Sequence, residues 1–157
     1  MSLATDKVLK QKKGSKDNPS MHVEMGYFEN FADRGDTILV DGDVSGLLAL
    51  AQILRGLEAP DAEPVAIHKL PFVVVHHGVE LTAHPVGREL GVRRTDSVFT
   101  RFCWNHSEEG WLEAAEKIEG VVEGNGGHNW LECIGWEDVV VMVSTNEYDS
   151  AWWLKWG

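Results

Sequence analysis

Residues 36–57 have the sequence DTILVDGDVSGLLALAQILRGL, and this stretch decides the fold class. The apolar run at residues 37–40 predicts a short strand. Asp43 or Ser45 follows it and can cap a helix, because a short side-chain oxygen accepts the free N–H groups of the first turn. Apolar residues then recur at helical spacing up to Gly56, which suits the helix end. They are Leu47, Leu50, Ala51, Leu54 and Leu57.

The same order of elements continues along the chain. Residues 65–74 and 79–84 are predicted to form a hairpin across residues 75–78. Further on, Val98, Thr100, Phe102 and Trp104 alternate as in a strand, and Ser107 can cap the helix that follows. That helix has an apolar stripe made of Trp111, Ala115, Ile118 and Val122. Residues 128–134 and 139–144 are the last two predicted strands.

The two halves align with each other. A shift of 60 residues places Ile67–His84 on Gly127–Ser144 without a gap, and a shift of 64 places Leu47–Leu54 on Trp111–Ile118. Order and spacing agree together, so we expect an internal duplication. The predicted fold is α+β, with two β-α-β-β repeats related by a pseudo-twofold, a mainly antiparallel sheet, two packed helices and an extra N-terminal strand.

The expected domain organisation is simple. Residues 1–20 are rich in lysine and lack hydrophobic periodicity, so we expect a disordered basic tail or a segment left over from cloning. Residues 21–157 are expected to form a single domain, with repeat halves at about residues 36–86 and 96–146, a length typical of one domain.

The charge is uneven along the chain. The net formal charge is −11, and residues 1–20 contribute +3, which leaves −14 for residues 21–157. A body this acidic repels nucleic acid and anionic membranes, and it attracts basic partners. Nucleic acids and membranes are therefore not expected partners.

Two cysteines, Cys103 and Cys133, are too few for a disulfide scaffold, and their apolar surroundings favour reduced thiols. No apolar run approaches the length of a membrane span, and residues 1–20 lack the hydrophobic stretch of a signal peptide. The cytoplasm is the expected compartment.

Residues 41–46, DGDVSG, place Asp41, Asp43 and Ser45 at the first, third and fifth positions of a calcium loop. The twelfth position, which needs a bidentate carboxylate, is Gln52, so a capped strand-to-helix turn is the favoured interpretation.

Six histidines follow His22 in the sequence, and some of them could form a metal site or a catalytic site. A cluster of His76, His77 and His84 at the hairpin is one hypothesis, while His68 and His128 are expected to be satisfied core residues. Cys103 could meet His106 or His128 as a nucleophile. No complete constellation is present, so we expect neither an enzyme, nor a metal, nor a cofactor.

The second helix carries an acidic face opposite its apolar stripe. Glu109, Glu113 and Glu116 recur along one side, which is usually a solvated surface. Combined with the acidic body, the stripe predicts a contact surface for a basic partner.

Seven tryptophans are present, and several lie where interfaces are built. Trp136 lies at a predicted hairpin turn, and Trp152 and Trp153 follow close to the C-terminus. Exposed aromatic side chains bury a large area on binding, so these three are candidate interface residues. The alternative is that the C-terminal segment folds back over the sheet.

Residues 98–149 resemble small acidic immunity proteins of bacterial polymorphic toxin systems. The similarity lies in the capped acidic helix from Ser107 to Val122, the segment GHNWL at residues 127–131, and residues 139–144 leading into NEY at residues 146–148. The resemblance implies a compact α+β protein that blocks a protein toxin by binding it, without catalysis. It carries over no functional residues.

The expected function is therefore an inhibitory binding protein, an immunity protein for a basic bacterial toxin. Two alternatives remain open. One is a small-ligand or metal-binding protein, even a hydrolase, that uses the histidine cluster. The other is a structural homodimer joined by strand edges or by the C-terminal tryptophans.

Overall fold

The computed structural model describes residues 21–31, 35–85, 91–124, 127–132 and 139–156. Within these ranges the chain is α+β, with three α-helices and two sheets. The strands are β1 (Val23–Phe28), β2 (Thr37–Gly42), β3 (Val65–Ala66), β4 (Val73–Val75), β5 (Glu80–His84), β6 (Gly91–Arg94), β7 (Arg101–Asn105), β8 (Gly127–Glu132) and β9 (Val140–Thr145). The helices are α1 (Val44–Gly56), α2 (Glu108–Glu123) and α3 (Ser150–Trp156).

The first sheet has five strands in the order β4-β1-β2-β9-β8. Its centre is the parallel pair β2–β9, in which Thr37 lies opposite Val140 and Gly42 opposite Thr145. β1 and β8 flank this pair antiparallel, and β4 adds a short parallel edge beside β1. All residues of β2 and β9 are buried, as expected for central strands covered on both faces.

The second sheet has four strands in the order β3-β5-β7-β6. Its centre is again a parallel pair, β5–β7, with Thr82 opposite Cys103 and His84 opposite Asn105. β3 and β6 flank the pair antiparallel. Each sheet therefore has at its centre a parallel pair made of one strand from the first predicted repeat and one from the second.

The turn into α1 forms as the sequence predicts. Asp43 is the N-cap, and its carboxylate accepts a hydrogen bond from the backbone N–H of Gly46 at 2.7 Å. A Cβ atom at Gly46 would lie 2.7 Å from the backbone oxygen of His22, so only glycine fits where the chain entering β1 crosses this turn. The DGDVSG segment is thus a close-packed strand-to-helix connection.

Helix α2 is capped by Ser107, whose hydroxyl accepts from the N–H of Gly110 at 3.2 Å. Its buried face consists of Trp111, Ala114, Ala115, Ile118 and Val121, while Val122 of the predicted stripe is only partly buried. The two long helices pack against each other, and their apolar faces meet the inner faces of both sheets in one core. Trp111 packs edge-on against Trp104 of β7, with 5.0 Å between ring centroids.

A second, smaller cluster lies on the opposite face of the five-stranded sheet. Trp153 of α3 is only 3% exposed and packs with Leu39 of β2 and Met142 of β9. The ring also closes over Gly26 of β1, where an added Cβ would lie 3.0 Å from Trp153. The C-terminal segment therefore folds back over the sheet.

Asp41 joins three parts of this face through its buried carboxylate. It accepts hydrogen bonds from the Ser144 hydroxyl at 2.6 Å and from the backbone N–H of Glu147 at 2.9 Å, with Tyr148 N–H at 3.4 Å. Burial raises the pKa of Asp41, although these donors act in the opposite direction. The carboxylate ties β2 to β9 and to the turn that leads into α3.

Two predicted strands are wrong in detail. The run at residues 65–74 is not one hairpin strand: it divides into β3, a 3₁₀ turn at Ile67–Lys69, and β4, and these strands join different sheets. The strand predicted from Val98 begins only at Arg101, because Val98 and Phe99 lie exposed in the turn before it. Strand β6 and helix α3 were not predicted.

The internal repeat is not confirmed. β8 and β9 form the predicted antiparallel pair, whereas only the β3 part of the segment predicted to pair with β5 does so, and β4 adds to β1. Both predicted repeats are split between the two sheets, since β2 lies apart from β3 and β5, and β7 lies apart from β8 and β9. Residues 1–20, Cys133 and Trp136 lie outside the described residues, so the predictions made for them stay predictions.

We expect Asp41→Ala to destabilise the protein by about 2–4 kcal/mol, because it leaves the buried Ser144 hydroxyl and a backbone N–H without an acceptor. Urea denaturation at neutral pH measures the effect. Asp61→Ala, at an exposed loop position, is the matched control, with an expected change within about 0.5 kcal/mol. Equal effects of the two substitutions would contradict the role assigned to Asp41.

Trp153→Ala should lower the free energy of unfolding by about 3–5 kcal/mol, since it removes the largest side chain of the smaller cluster. Trp156→Ala, three residues further along α3, replaces a side chain that is 56% exposed and should change stability little. Thermal and denaturant unfolding of both variants test the contrast. A stable Trp153→Ala protein would mean that α3 is not fixed to the sheet by this residue.

Candidate interaction surface

The acidic stripe of α2 lies on the face opposite the core. Glu109, Glu113 and Glu116 are all exposed, while Trp111, Ala114, Ala115, Ile118 and Val121 are buried. The predicted separation of an apolar seam from an acidic face is therefore present in the fold. The Ser107 cap and the packed seam hold the three carboxylates on a fixed backbone.

Glu119, the next acid along α2, has a structural role instead. It accepts two hydrogen bonds from the guanidinium of Arg55 on α1, at 2.6 and 2.7 Å. Both side chains are about one-third exposed, so this pair contributes modestly to stability while it links the two helices. Glu119 is therefore separate from the stripe.

The stripe keeps most of its negative charge unneutralised within the part of the chain that the structure describes. Lys117 is 3.9 Å from Glu113, a long contact, and also donates to the Trp130 carbonyl at 3.4 Å. Glu109 and Glu116 make no ion pair with a described residue. Like charges three or four residues apart weaken a helix, each pair by about 0.2–0.5 kcal/mol. The three carboxylates are therefore exposed to solvent and do not hold the helix in place.

The C-terminal aromatic residues divide into buried and exposed sets. The prediction that Trp153 is an exposed interface residue is wrong, because its ring is a core element of the α3 cluster. Trp152 is half-buried, with its ring 4.5 Å from Tyr148 and 5.5 Å from Phe28. The exposed positions are Leu154, at 86%, and Trp156. To distinguish the buried from the exposed residues by sequence alone, residues 150–156 would have had to be predicted as a helix.

The histidines proposed as one cluster lie on different sheets. His76 follows β4 and bonds through Nε2 to Glu24 at 2.5 Å, and its ring stacks on Trp153 at 4.4 Å. His84 lies on β5 in the other sheet, with its Nε2 3.5 Å from the Cys103 sulfur. The hypothesis of a joint site made from His76, His77 and His84 is therefore wrong. Among the described residues, no three or more His, Cys, Asp or Glu side chains are arranged to hold a metal ion.

Glu24 binds a second histidine on the same strand edge. His22 Nε2 lies 2.7 Å from the other Glu24 oxygen. Burial alone would raise the pKa of Glu24, but hydrogen bonds from His76 and His22 outweigh it and lower that pKa. The carboxylate thus joins the start of β1 to the end of β4, which is a structural role.

His68 and His128 were expected to be satisfied core residues, and one of them is placed differently. His68 is half-buried and its Nδ1 accepts from the backbone N–H of Leu81 at 3.0 Å, so it is satisfied. His128 is exposed on β8 and pairs with Glu147 at 3.2 Å. It is therefore a surface residue, because β8 is an edge strand and the His128 side chain is exposed to solvent there.

The nucleophile hypothesis named His106 or His128 as the partner of Cys103, and this pairing is wrong. His106 packs edge-on against Trp111 at 5.1 Å, and His128 belongs to the other sheet. The structure brings His84 to Cys103 instead. The sequence did place His84 and Cys103 on strands in which they alternate with buried apolar residues. Their contact could not be predicted, because the parallel pairing of β5 with β7 was not predicted.

None of the described helices has both the length and the apolar character needed to cross a membrane. Comparison with protein-family models, with curated proteins and with solved structures found no match for this chain.

Proposed function

We propose that this protein is a non-catalytic inhibitory binding protein, an immunity protein that neutralises a bacterial toxin by direct binding in the cytoplasm. The toxin is a basic protein, and α2 faces it. The resemblance of residues 98–149 to acidic immunity proteins supports this proposal together with the charge of the chain.

The observation that carries the proposal is the stripe of Glu109, Glu113 and Glu116. Its carboxylates are exposed on a rigidly packed helix, and two of them make no ion pair with a described residue. A preorganised set of like charges raises the encounter rate with an opposite charge, by about 10- to 1,000-fold for strongly charged surfaces. The net charge of −11 acts in the same direction at longer range.

Two features of the described residues weigh against the ligand-binding or hydrolase alternative. The histidines that it requires are separated between the sheets, and His76 and His22 are engaged by Glu24. Ser144, the buried hydroxyl beside Asp41, donates to that carboxylate directly and lies at 0% exposure. It is therefore enclosed and is not placed as an activated nucleophile.

A homodimer is the second candidate, favoured by one observation. Leu154 and Trp156 expose large apolar surface on the same short helix, and such residues are typical of interfaces. In the immunity protein that we propose, Leu154 and Trp156 contact the toxin. In a homodimer, they contact a second copy of the chain.

The charge-reversed variant Glu109→Lys/Glu113→Lys/Glu116→Lys should keep its fold, because none of these positions enters the apolar seam. We expect its association rate with the toxin to fall by at least about tenfold at low salt, with a smaller change in the dissociation rate. Surface plasmon resonance at two ionic strengths measures both rates.

The matched control is Glu29→Lys/Asp61→Lys/Glu63→Lys, which makes the same change in net charge at exposed positions outside α2. Its association rate should fall less than that of the stripe variant. Equal losses in the two triple variants would show that only net charge matters, and an unchanged rate in the stripe variant would exclude α2 as the surface that attracts the toxin.

Trp156→Ala should raise the dissociation rate of the toxin complex by about fivefold or more, since exposed tryptophans are frequent binding determinants. Stability should remain unchanged, because the ring is exposed. Sedimentation equilibrium of the free protein shows whether the protein is a homodimer. A dimer that dissociates in Trp156→Ala, with toxin binding intact, would assign this surface to self-association.

A further inference from the structure

The outer face of the four-stranded sheet carries polar side chains, in contrast to its inner face. Leu81 and Ala83 of β5 and Phe102 and Trp104 of β7 are buried in the core. Because successive side chains of a strand point to opposite faces, Thr82, His84 and Cys103 lie together on the other side. Their position follows directly from the parallel register of β5 and β7.

Cys103 and His84 are in direct contact on this face. The Cys103 sulfur lies 3.5 Å from His84 Nε2, and the thiol is free and half-buried. A thiol next to an imidazole is the arrangement in which a nitrogen base removes the proton of a sulfur nucleophile.

The backbone of His84 is fixed from the core side. Its carbonyl oxygen accepts a hydrogen bond from the indole N–H of Trp111 at 3.2 Å and from the backbone N–H of His106 at 3.3 Å. Trp111 is fully buried in α2. The contact between sulfur and imidazole is thus built on a rigid part of the fold.

Cationic side chains occupy the same face around the thiol. Arg93 of β6 lies directly opposite Cys103 in the antiparallel register. Arg101 lies two residues earlier on β7 and is shared between Glu80, at 3.2 Å, and Asp96, at 3.4 Å. On a chain with a net charge of −11, this face combines a thiol, an imidazole and two guanidinium groups. Guanidinium groups beside a thiol favour a reaction partner that carries negative charge.

We propose that Cys103 is a site of thiol–disulfide exchange with small anionic disulfides of the glutathione class. His84 takes the proton from the Cys103 thiol as the sulfur attacks one sulfur of the disulfide. A new S–S bond forms between Cys103 and one glutathione unit while the old S–S bond breaks. The second glutathione unit leaves as a thiolate and receives the proton from His84, so no further oxidant is needed.

The test uses the full chain with Cys133→Ser, which leaves Cys103 as the single thiol. Intact-mass spectrometry follows the mixed disulfide formed with oxidised glutathione at about pH 7 and at about pH 10. His84→Gln should slow the reaction by about tenfold or more near neutrality. At the higher pH, where hydroxide removes the thiol proton, the two proteins should react at similar rates.

Thr82→Ala is the matched control, because Thr82 lies opposite Cys103 on the same face and offers no base. It should react as the parent does, and circular dichroism confirms that all variants are folded. Arg93→Gln should slow glutathione disulfide more than it slows the uncharged disulfide of 2-mercaptoethanol. Equal rates for the parent and His84→Gln near neutrality, or no mixed disulfide at Cys103, would overturn the proposal.

Discussion

The fold depends on two parallel strand pairings, one of which joins distant parts of the chain. β2 pairs with β9, so the five-stranded sheet has no centre until both ends of the chain are present, whereas β5 and β7 of the four-stranded sheet lie close together in sequence. The helices that follow β2 and β7 pack against each other and cover the inner faces of both sheets. Closing such long loops has an entropic cost, which burial of the shared core must offset. The chain is therefore expected to fold as one cooperative unit.

The outward surfaces follow from this arrangement. The outer face of the five-stranded sheet is covered in part by α3, with Trp153 as its main contact, and Asp41 ties the connecting turn to the sheet. The outer face of the four-stranded sheet instead presents Cys103 and His84. Helix α2 directs its acidic face outward because its apolar face is held in the core. The proposed thiol site and the proposed acidic contact surface thus lie on different parts of one scaffold.

Local signals were sufficient to predict the parts of the fold that local chemistry controls. Ser107 was predicted as a cap, Asp43 was one of two cap candidates for α1, and the apolar faces of α1 and α2 were predicted from their spacing. Strand pairing was not predictable in the same way, because it depends on contacts between residues far apart in sequence. The apolar run before His76 supported one strand, yet its two ends join separate sheets. The contact of His84 with Cys103 follows from the parallel pairing of β5 with β7, and it was missed because residues 79–84 were assigned only to a hairpin with residues 65–74.

We propose that this chain inhibits a basic toxin by stoichiometric binding, without covalent change to the toxin. The most direct measurement is a titration of the enzymatic activity of the basic protein that co-purifies with the tagged chain from its native host. The account predicts a linear loss of activity that ends at one chain per toxin, with the toxin recovered at unchanged mass and full activity after denaturing separation and refolding. Inactivation by far fewer chains than toxin molecules, or undiminished activity at excess chain, would contradict it.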